Sequence, residues 1–121
     1  MSKTILSVDD SKSIRDMIDF TLQPRGYRVI GAADGVEGLA ALAANEVSLV
    51  VCDLNMPNMN GIEMVRKARA DRRFDGIPIV MLTTEAQKEK MMEAKAAGAT
   101  GWMVKPFDGE KLVSIVTKLV G

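Results

Sequence analysis

Four short apolar runs along the chain each lead into a polar residue with reactive chemistry. Carboxylates follow the first two runs, a hydroxyl follows the third and an amine follows the fourth. In chain order, residues 5–8 lead into Asp9 and Asp10, residues 49–52 into Asp53, residues 79–82 into Thr83, and residues 102–104 into Lys105. If the runs are parallel strands of one sheet, these polar groups converge at one edge of that sheet.

Segments with helical periodicity separate the apolar runs, so strand and helix alternate five times. Ile14, Met17 and Ile18 show the spacing of one apolar helix face, for example. The predicted strands are residues 4–8, 27–31, 49–53, 77–82 and 102–104, and the predicted helices are residues 13–23, 36–44, 62–70, 87–97 and 110–120. Ser11 is a candidate cap for the first helix, and Gly98 is a candidate end for the fourth.

Several predicted strands are apolar on both faces, which favours an α/β fold with helices on both sides of a parallel sheet. Residues 49–52 and 77–82 show no alternation of polar and apolar side chains. Parallel strands joined by right-handed crossovers bury both faces only if the winding direction reverses once. In a doubly wound five-stranded sheet of order 2-1-3-4-5, an order taken from fold precedent, the reversal opens a crevice between strands 1 and 3.

The composition fits one globular domain over residues 1–121 with no attraction to polyanions. The 121 residues are 47% hydrophobic, and lysine plus arginine equals aspartate plus glutamate at 16 each. This balance argues against nucleic acid as a direct partner. The single cysteine, Cys52, cannot form an internal disulfide, and no apolar stretch is long enough to span a membrane. We therefore expect a cytoplasmic protein without membrane insertion.

The polar groups at the predicted sheet edge suit a divalent cation and phosphate chemistry. Clustered carboxylates repel one another unless a cation neutralises them, and Mg²⁺ suits oxygen ligands in a chain that has no histidine. Asp53 is the best candidate nucleophile toward phosphorus, because it ends the central buried run alone. The Asp9-Asp10 doublet is better suited to hold the metal. Lys105 and Thr83 would offer a charge and a hydroxyl donor to phosphoryl oxygens.

Each of these residues taken singly also fits an ordinary structural role. Asp9 or Asp10 could cap the helix that follows, and Asp53 could be a turn acid. Thr83 could simply end a strand, and Lys105 could be a solvated lysine. It is improbable that four strand ends carry complementary groups by chance, and this favours the functional interpretation.

The motifs around these positions resemble those of one protein family. They are Val-Asp-Asp-Ser at residues 8–11, Cys-Asp-Leu-Asn-Met-Pro-Asn-Met-Asn-Gly at 52–61, Met-Leu-Thr-Thr-Glu at 81–85 and Val-Lys-Pro-Phe at 104–107. In this order the chain is similar to the receiver domains of two-component response regulators, particularly stand-alone chemotaxis regulators of the CheY type. The resemblance covers essentially the whole chain. It implies a flavodoxin-like α/β fold in a single receiver domain with no output domain.

The resemblance implies roles for the residues at the strand ends. Asp53 would be the phosphoacceptor and a ligand of Mg²⁺, and a sensor histidine kinase would donate the phosphoryl group. Asp10 would bind the ion directly, Asp9 through water, and Asn55 through its backbone carbonyl. The side chains of Asn55 and Glu85 match positions that tune how fast the acyl phosphate hydrolyses. The peptide bond between residues 105 and 106 would be cis.

The resemblance also implies a route from the site to a partner. Thr83 would move toward the phosphoryl group, and Trp102 occupies the switch-aromatic position, where Tyr or Phe is more usual. Because indole is larger than phenol, we expect a shifted equilibrium between inward and outward states of this ring.

A candidate partner surface follows from the same comparison, formed by Lys88, Met91, Met92, Lys95 and Trp102. Methionine side chains suit an adaptable surface. By resemblance it binds the flagellar-motor switch protein, and a docking domain of the kinase competes for it. A phosphatase is a further candidate partner, and we expect a monomer.

Two alternatives stand beside this signalling switch, which would catalyse only its own phosphorylation and dephosphorylation. One keeps the site but makes the protein a phosphate sink or a phosphorelay intermediate without motor binding. The other is a small phosphatase or a nucleotide-binding flavodoxin-like protein. It has less support, because no second acid follows Asp53 by two residues and no glycine-rich phosphate loop follows a strand.

Overall fold

Five parallel strands form a single sheet with helices on both faces. The computed structural model describes residues 2–121, without the side chain of Glu85. The strands are β1 (Thr4–Val8), β2 (Arg28–Ala32), β3 (Leu49–Asp53), β4 (Ile79–Thr83) and β5 (Gly101–Val104). The helices are α1 (Lys12–Leu22), α2 (Gly35–Ala44), α3 (Gly61–Arg69), α4 (Met91–Ala97) and α5 (Gly109–Val120). The sheet order is β2-β1-β3-β4-β5, as predicted for the doubly wound fold.

Two apolar cores lie on opposite faces of the sheet. Val50 and Cys52 of β3 pack with residues of α2, α3 and α4 on one face. Leu49 and Val51 pack with residues of α1 and α5 on the other. Both faces of the strand are therefore covered by helices, which is why its apolar run shows no alternation. Each helix within residues 2–121 is too short or too polar to cross a bilayer.

The predicted helix ends coincide with observed capping interactions. The Ser11 hydroxyl accepts a hydrogen bond from the Ile14 amide at 3.3 Å, which caps α1. Asn60 and Glu63 form a reciprocal capping box at the start of α3, with distances of 2.9 and 3.3 Å. Gly98 ends α4 with a φ of 119°, a conformation that glycine adopts without steric cost.

Most predicted elements agree with the structure to within one residue at each end, and two differ by more. The fourth strand begins at Ile79, not at residue 77, because Pro78 has no N–H to donate to a sheet ladder. The helix predicted over residues 87–97 is α-helical only from Met91, and a 3₁₀ helix spans Glu85–Lys90. The side chains of residues 88–90 are exposed, so no apolar packing selects α-helical geometry there.

Candidate functional site

The polar groups that were predicted to converge meet at the carboxyl ends of the strands. Asp53 and Thr83 are the last residues of β3 and β4, while Asp9 and Lys105 directly follow β1 and β5. The strand register sets the last residues of β4 and β5 opposite each other. Because the strands are parallel, all four groups lie at one edge of the sheet.

Three carboxylates crowd together at this edge. One oxygen atom from each of Asp9, Asp10 and Asp53 lies within 4.8 Å of the other two. Asp9 is 1% exposed and Asp53 is 8% exposed, whereas Asp10 is exposed at the rim. Carboxylates this close repel one another, and burial adds to the cost of their charges. The cluster therefore requires cationic neutralisation.

Lys105 supplies one such cation. Its Nζ donates hydrogen bonds to Asp9 Oδ2 at 3.1 Å and to Asp53 Oδ1 at 3.2 Å. Burial opposes the charge of this lysine, but the hydrogen bond to Asp9 and the nearby charge of Asp53 outweigh burial and raise the pKa of Lys105. The ammonium therefore stays charged at neutral pH. The Lys105–Pro106 peptide bond is cis, as the resemblance implied.

Asp53 is held through one carboxylate oxygen. Oδ1 accepts hydrogen bonds from Lys105 Nζ and, at 3.0 Å, from the Leu54 amide, and both hydrogen bonds to this carboxylate in residues 2–121 go to Oδ1. Burial, followed by the charge of Asp9, raises the pKa of Asp53 against the opposing effect of Lys105. The arrangement orients the carboxylate and leaves Oδ2 for a further ligand.

Thr83 lies on the opposite side of the site from the Asp9-Asp10 doublet in the order of the strands. Its side chain is fully buried, and its hydroxyl oxygen has no hydrogen-bond partner within residues 2–121. A buried hydroxyl without a partner carries a free-energy cost, since it has lost its hydrogen bonds to water. This cost favours any rearrangement that brings an acceptor to Thr83.

The donor set at this edge fits a Mg²⁺ ion. Octahedral coordination at about 2.1 Å separates neighbouring oxygen ligands by about 3 Å and opposite ones by about 4 Å. Oxygens of Asp9, Asp10 and Asp53 lie within 4.8 Å of one another, a spacing that one hydrated ion would span, with Asp9 contacting it through water. All three donors are hard oxygens, and no histidine is present in the chain.

The loop after β3 is held in place by backbone packing and side-chain hydrogen bonds. A Cβ atom at Gly61 would overlap the carbonyl oxygen of Asp53, so α3 begins in direct contact with the end of β3. Asn58 has a φ of 66° and donates to Asp34 Oδ2 at 2.7 Å, which ties this loop to the start of α2. The link between Asp34 and Asn58 was not predicted, because nothing in the local sequence pairs residues 24 positions apart.

The two residues predicted to tune hydrolysis are only partly described. Asn55 is exposed two residues after Asp53 and lines a small cavity with Glu63, Arg66 and Glu93. The side chain of Glu85 lies outside the described part of the chain.

The predicted partner surface is exposed to solvent over most of its area. Lys88 and Lys95 are exposed, Met91 is half-buried, and Met92 is 82% exposed. Trp102 is 44% exposed on β5, at an edge of the sheet. In the structure the indole therefore lies outward.

Two residues next to the site differ in their relation to its chemistry. The Cys52 thiol is buried, and this burial together with the charges of Asp53 and Asp9 raises its pKa, so the thiol stays protonated and unreactive.

Arg15, by contrast, donates to the backbone carbonyl of Asp9 at 2.5 Å, a contact that the sequence did not indicate. A single arginine on a helix is usually a solvated surface residue, and nothing in the sequence indicated that Arg15 would differ.

Comparisons with known proteins agree with the geometry of the site. The family model of the response regulator receiver domain matches residues 5–117. Chemotaxis protein CheY1 of Helicobacter pylori is 42% identical over 119 residues, which cover 97% of this chain and 96% of that protein. A chemotaxis protein CheY homolog of Campylobacter jejuni is 40% identical and covers 97% and 92%. The crystal structure of chemotaxis response regulator CheY4 of Vibrio cholerae superimposes with a TM-score of 0.92 at 45% identity, covering 98% and 99% of the two chains.

Proposed function

Since this chain belongs to the response regulator receiver domain family, we propose that it accepts a phosphoryl group on Asp53 from a sensor histidine kinase in a Mg²⁺-dependent reaction. A receiver of this type is a signalling switch, not an enzyme that acts on an external substrate. The observation that supports Asp53 most directly is its position: a buried carboxylate, held by Lys105 at 3.2 Å, within an acidic cluster at the end of the central strand.

Asp9, Asp10 and Asp53 would hold the metal, together with the backbone carbonyl of Asn55. When bound, Mg²⁺ neutralises charge on the phosphoryl oxygens and on the carboxylates. Asp10 lies exposed at the rim, where it reaches an incoming ion first. Asp9 is buried and already accepts hydrogen bonds through both carboxylate oxygens, which is consistent with contact through water.

The transfer step forms a bond from Asp53 Oδ2 to phosphorus and breaks the phosphorus–nitrogen bond of the donor phosphohistidine. The imidazole leaves with the electron pair of that bond. Lys105 remains close enough to neutralise a phosphoryl oxygen. The hydroxyl of Thr83, which has no hydrogen-bond partner in the described part of the chain, gains an acceptor. Dephosphorylation is a separate reaction, in which water attacks phosphorus, the bond between Asp53 Oδ2 and phosphorus breaks, and inorganic phosphate leaves the free carboxylate behind. Asn55 and Glu85 occupy the positions that tune this rate, and their polarity favours a transient signal.

A direct test is incubation with Mg²⁺ and acetyl phosphate, followed by intact mass measurement. We expect one added phosphoryl group on the wild type and none on Asp53→Asn, because an amide oxygen is too weak a nucleophile. Asp75→Asn is the matched control, since it removes an exposed acid on the far loop and should leave the modification intact. An unmodified wild type, under conditions that label another receiver domain, would contradict the proposal.

We further propose a role in chemotaxis, in which phosphorylation changes binding to the flagellar-motor switch protein. Support comes from relatives of 40–42% identity named chemotaxis proteins, and from the exposed surface with Trp102, Met92 and Lys95. Capture of the motor switch protein should increase on phosphorylation and fall in Lys95→Glu. Equal capture by both forms would favour the phosphate sink or relay function instead.

A further inference from the structure

Arg15 on α1 reaches back over the sheet to the loop that carries the Asp9-Asp10 doublet. Its Nη1 donates a hydrogen bond to the backbone carbonyl oxygen of Asp9 at 2.5 Å. That carbonyl belongs to the peptide plane joining Asp9 to Asp10. A hydrogen bond to it therefore restrains the direction in which the chain leaves the first carboxylate and enters the second.

The other polar groups of Asp9 are held by different elements. Its amide donates to the Ala32 carbonyl at 3.0 Å, Oδ1 accepts from the Ser11 amide at 2.9 Å, and Oδ2 accepts from Lys105. None of these three bonds fixes the carbonyl side of the residue. Within residues 2–121, Arg15 is the side chain that does so.

Gly31 provides the space through which the Arg15 side chain runs. It lies on β2 opposite Ser7 of β1, and a Cβ atom at position 31 would meet Arg15 Cδ at 3.2 Å and Nε at 3.6 Å. A contact at 3.2 Å is tighter than ordinary van der Waals packing, so a methyl group here must displace the arginine stem. The absence of a side chain at position 31 and the path of Arg15 are therefore coupled.

Asp19, an acidic residue on the same helix, forms no hydrogen bond with Arg15 through its buried Oδ1 within residues 2–121. Asp19 lies four residues further along α1, at the spacing that favours an ion pair on a helix surface. Both residues line the same small cavity with Ser7 and Gly31, yet Asp19 Oδ1 is buried without a hydrogen-bond partner in the described part of the chain. The guanidinium is directed to the metal-binding loop instead.

We propose that Arg15 is a positioning residue, which orients the Asp9–Asp10 peptide through the Asp9 carbonyl and thereby sets the geometry in which Asp10 binds Mg²⁺. The inference rests on the proposed metal site at these carboxylates. It assigns Arg15 no contact with the ion. It also gives Gly31 a role in the same arrangement, because a Cβ atom at that position would push against the Arg15 stem.

The first test compares Mg²⁺ dissociation constants of the full chain, measured from amide chemical shifts in ¹H–¹⁵N spectra. Arg15→Met should weaken binding about tenfold, the scale seen when a residue that orients a metal ligand is removed. Losing a positive charge near the site would by itself strengthen binding of a cation, so weaker binding identifies positioning. Arg28→Met, the same change at an exposed arginine of β2, should leave the constant within twofold.

The second test leaves the arginine in place. Gly31→Ala should weaken Mg²⁺ binding, and it should have little further effect in Arg15→Met, because both changes remove one interaction. Gly101→Ala is the matched control on the other edge strand, where a Cβ atom would meet nothing within 4 Å. Wild-type affinity in Arg15→Met, or equal affinity in the two alanine variants, would overturn the positioning role. A wild type that binds no Mg²⁺ would instead overturn the metal site itself.

Discussion

The carboxylate of Asp53 is close both to a positive charge and to other negative charges. Lys105 Nζ lies 3.2 Å from its Oδ1, while the carboxylates of Asp9 and Asp10 approach within 4.8 Å. Burial and repulsion from Asp9 exceed the attraction of Lys105, which is why the pKa of Asp53 is raised. The ionised carboxylate of Asp53 therefore lowers the free energy of unfolding. Functional sites commonly keep such destabilising groups because their chemistry needs them.

Replacing the charge with a neutral amide should stabilise the fold in the absence of divalent cations. We expect Asp53→Asn to raise the free energy of unfolding at pH 7 by about 1 kcal/mol, a modest gain because water at the rim screens the cluster. Because the pKa of Asp53 is raised on folding, this gain should shrink as the pH falls through that pKa toward the value of an unfolded aspartate. Urea unfolding at several pH values measures it.

In the presence of Mg²⁺ the wild type, and not Asp53→Asn, should have the higher free energy of unfolding. The ion binds the native wild type and stabilises it by mass action, whereas the variant has lost one ligand. A variant that is less stable than the wild type without Mg²⁺ would show that repulsion at Asp53 does not control the stability of this site.

Thr83 offers a second case in which function and stability diverge. Its hydroxyl is buried with no partner among the described residues, so Thr83→Val removes an unsatisfied polar group while keeping the shape of the side chain. We expect stability to be unchanged or higher by up to about 1 kcal/mol, measured by urea unfolding. Thr83→Ala is the contrasting variant, which should lose stability because it leaves a cavity. A large loss in the valine variant would indicate a hydrogen bond to this hydroxyl.

At the scale of elements, Arg69 joins the end of α3 to two other parts of the fold. Its guanidinium donates to the carbonyls of Phe74 and Ile77 at 2.7 and 2.8 Å, ahead of β4. It also donates through Nε to the Gly98 carbonyl, just after α4, at 3.0 Å. These contacts lie at the opposite end of the sheet from the acidic cluster, so Arg69 fixes the end of α4 that is remote from the site.

Arg69→Met should reveal this linkage, because methionine keeps the helix propensity and much of the apolar stem but donates no hydrogen bond. We expect a loss of about 2 kcal/mol in the free energy of unfolding, since several partly buried carbonyls lose a charged donor. Chemical denaturation with Arg72→Met as the control measures it, because Arg72 is an exposed neighbour on the same loop. A loss below about 0.5 kcal/mol would show that water replaces the guanidinium.

At the scale of the whole molecule, strand β5 carries Trp102 of the predicted partner surface and leads directly into Lys105 of the acidic cluster. Trp102 lies three residues before Lys105 on the edge strand β5, and Thr83 pairs with Val104 at the end of the same strand. The indole is 44% exposed in the structure. Movement of Thr83 toward a phosphoryl group would open space beside β5, and an inward shift of the ring would bury it further.

Trp102 fluorescence should therefore report phosphorylation. Addition of Mg²⁺ and acetyl phosphate should shift its emission to shorter wavelength, as the ring leaves water. In Thr83→Val the mass should still increase by one phosphoryl group, but the spectrum should not change. A wavelength shift that persists in this variant would mean that the signal reaches Trp102 by a route that does not involve the hydroxyl.

Local patterns in the sequence predicted the strands, the helices and the convergence of the site, whereas the order of the strands was taken from fold precedent. Apolar runs and helical periodicity specify strands and helices, and parallel strands necessarily place their carboxyl ends at one edge. Asp9, Asp53, Thr83 and Lys105 were therefore predictable as neighbours before any contact was known. The candidate cap Ser11 was equally local, since a cap bonds to an amide three residues away.

Contacts between segments distant in sequence could not be predicted and are known only from the tertiary structure. Lys105 bridges Asp9 and Asp53 from 96 and 52 positions away, and Arg15 meets the Asp9 carbonyl by passing close to Gly31 of a neighbouring strand. Periodicity carries no information on such pairs, because each side chain selects its partner after helices and strands have packed. The 3₁₀ segment before α4 was missed for the same reason. Its residues fit a helical pattern in the sequence, but packing against the sheet decides whether that helix is α or 3₁₀.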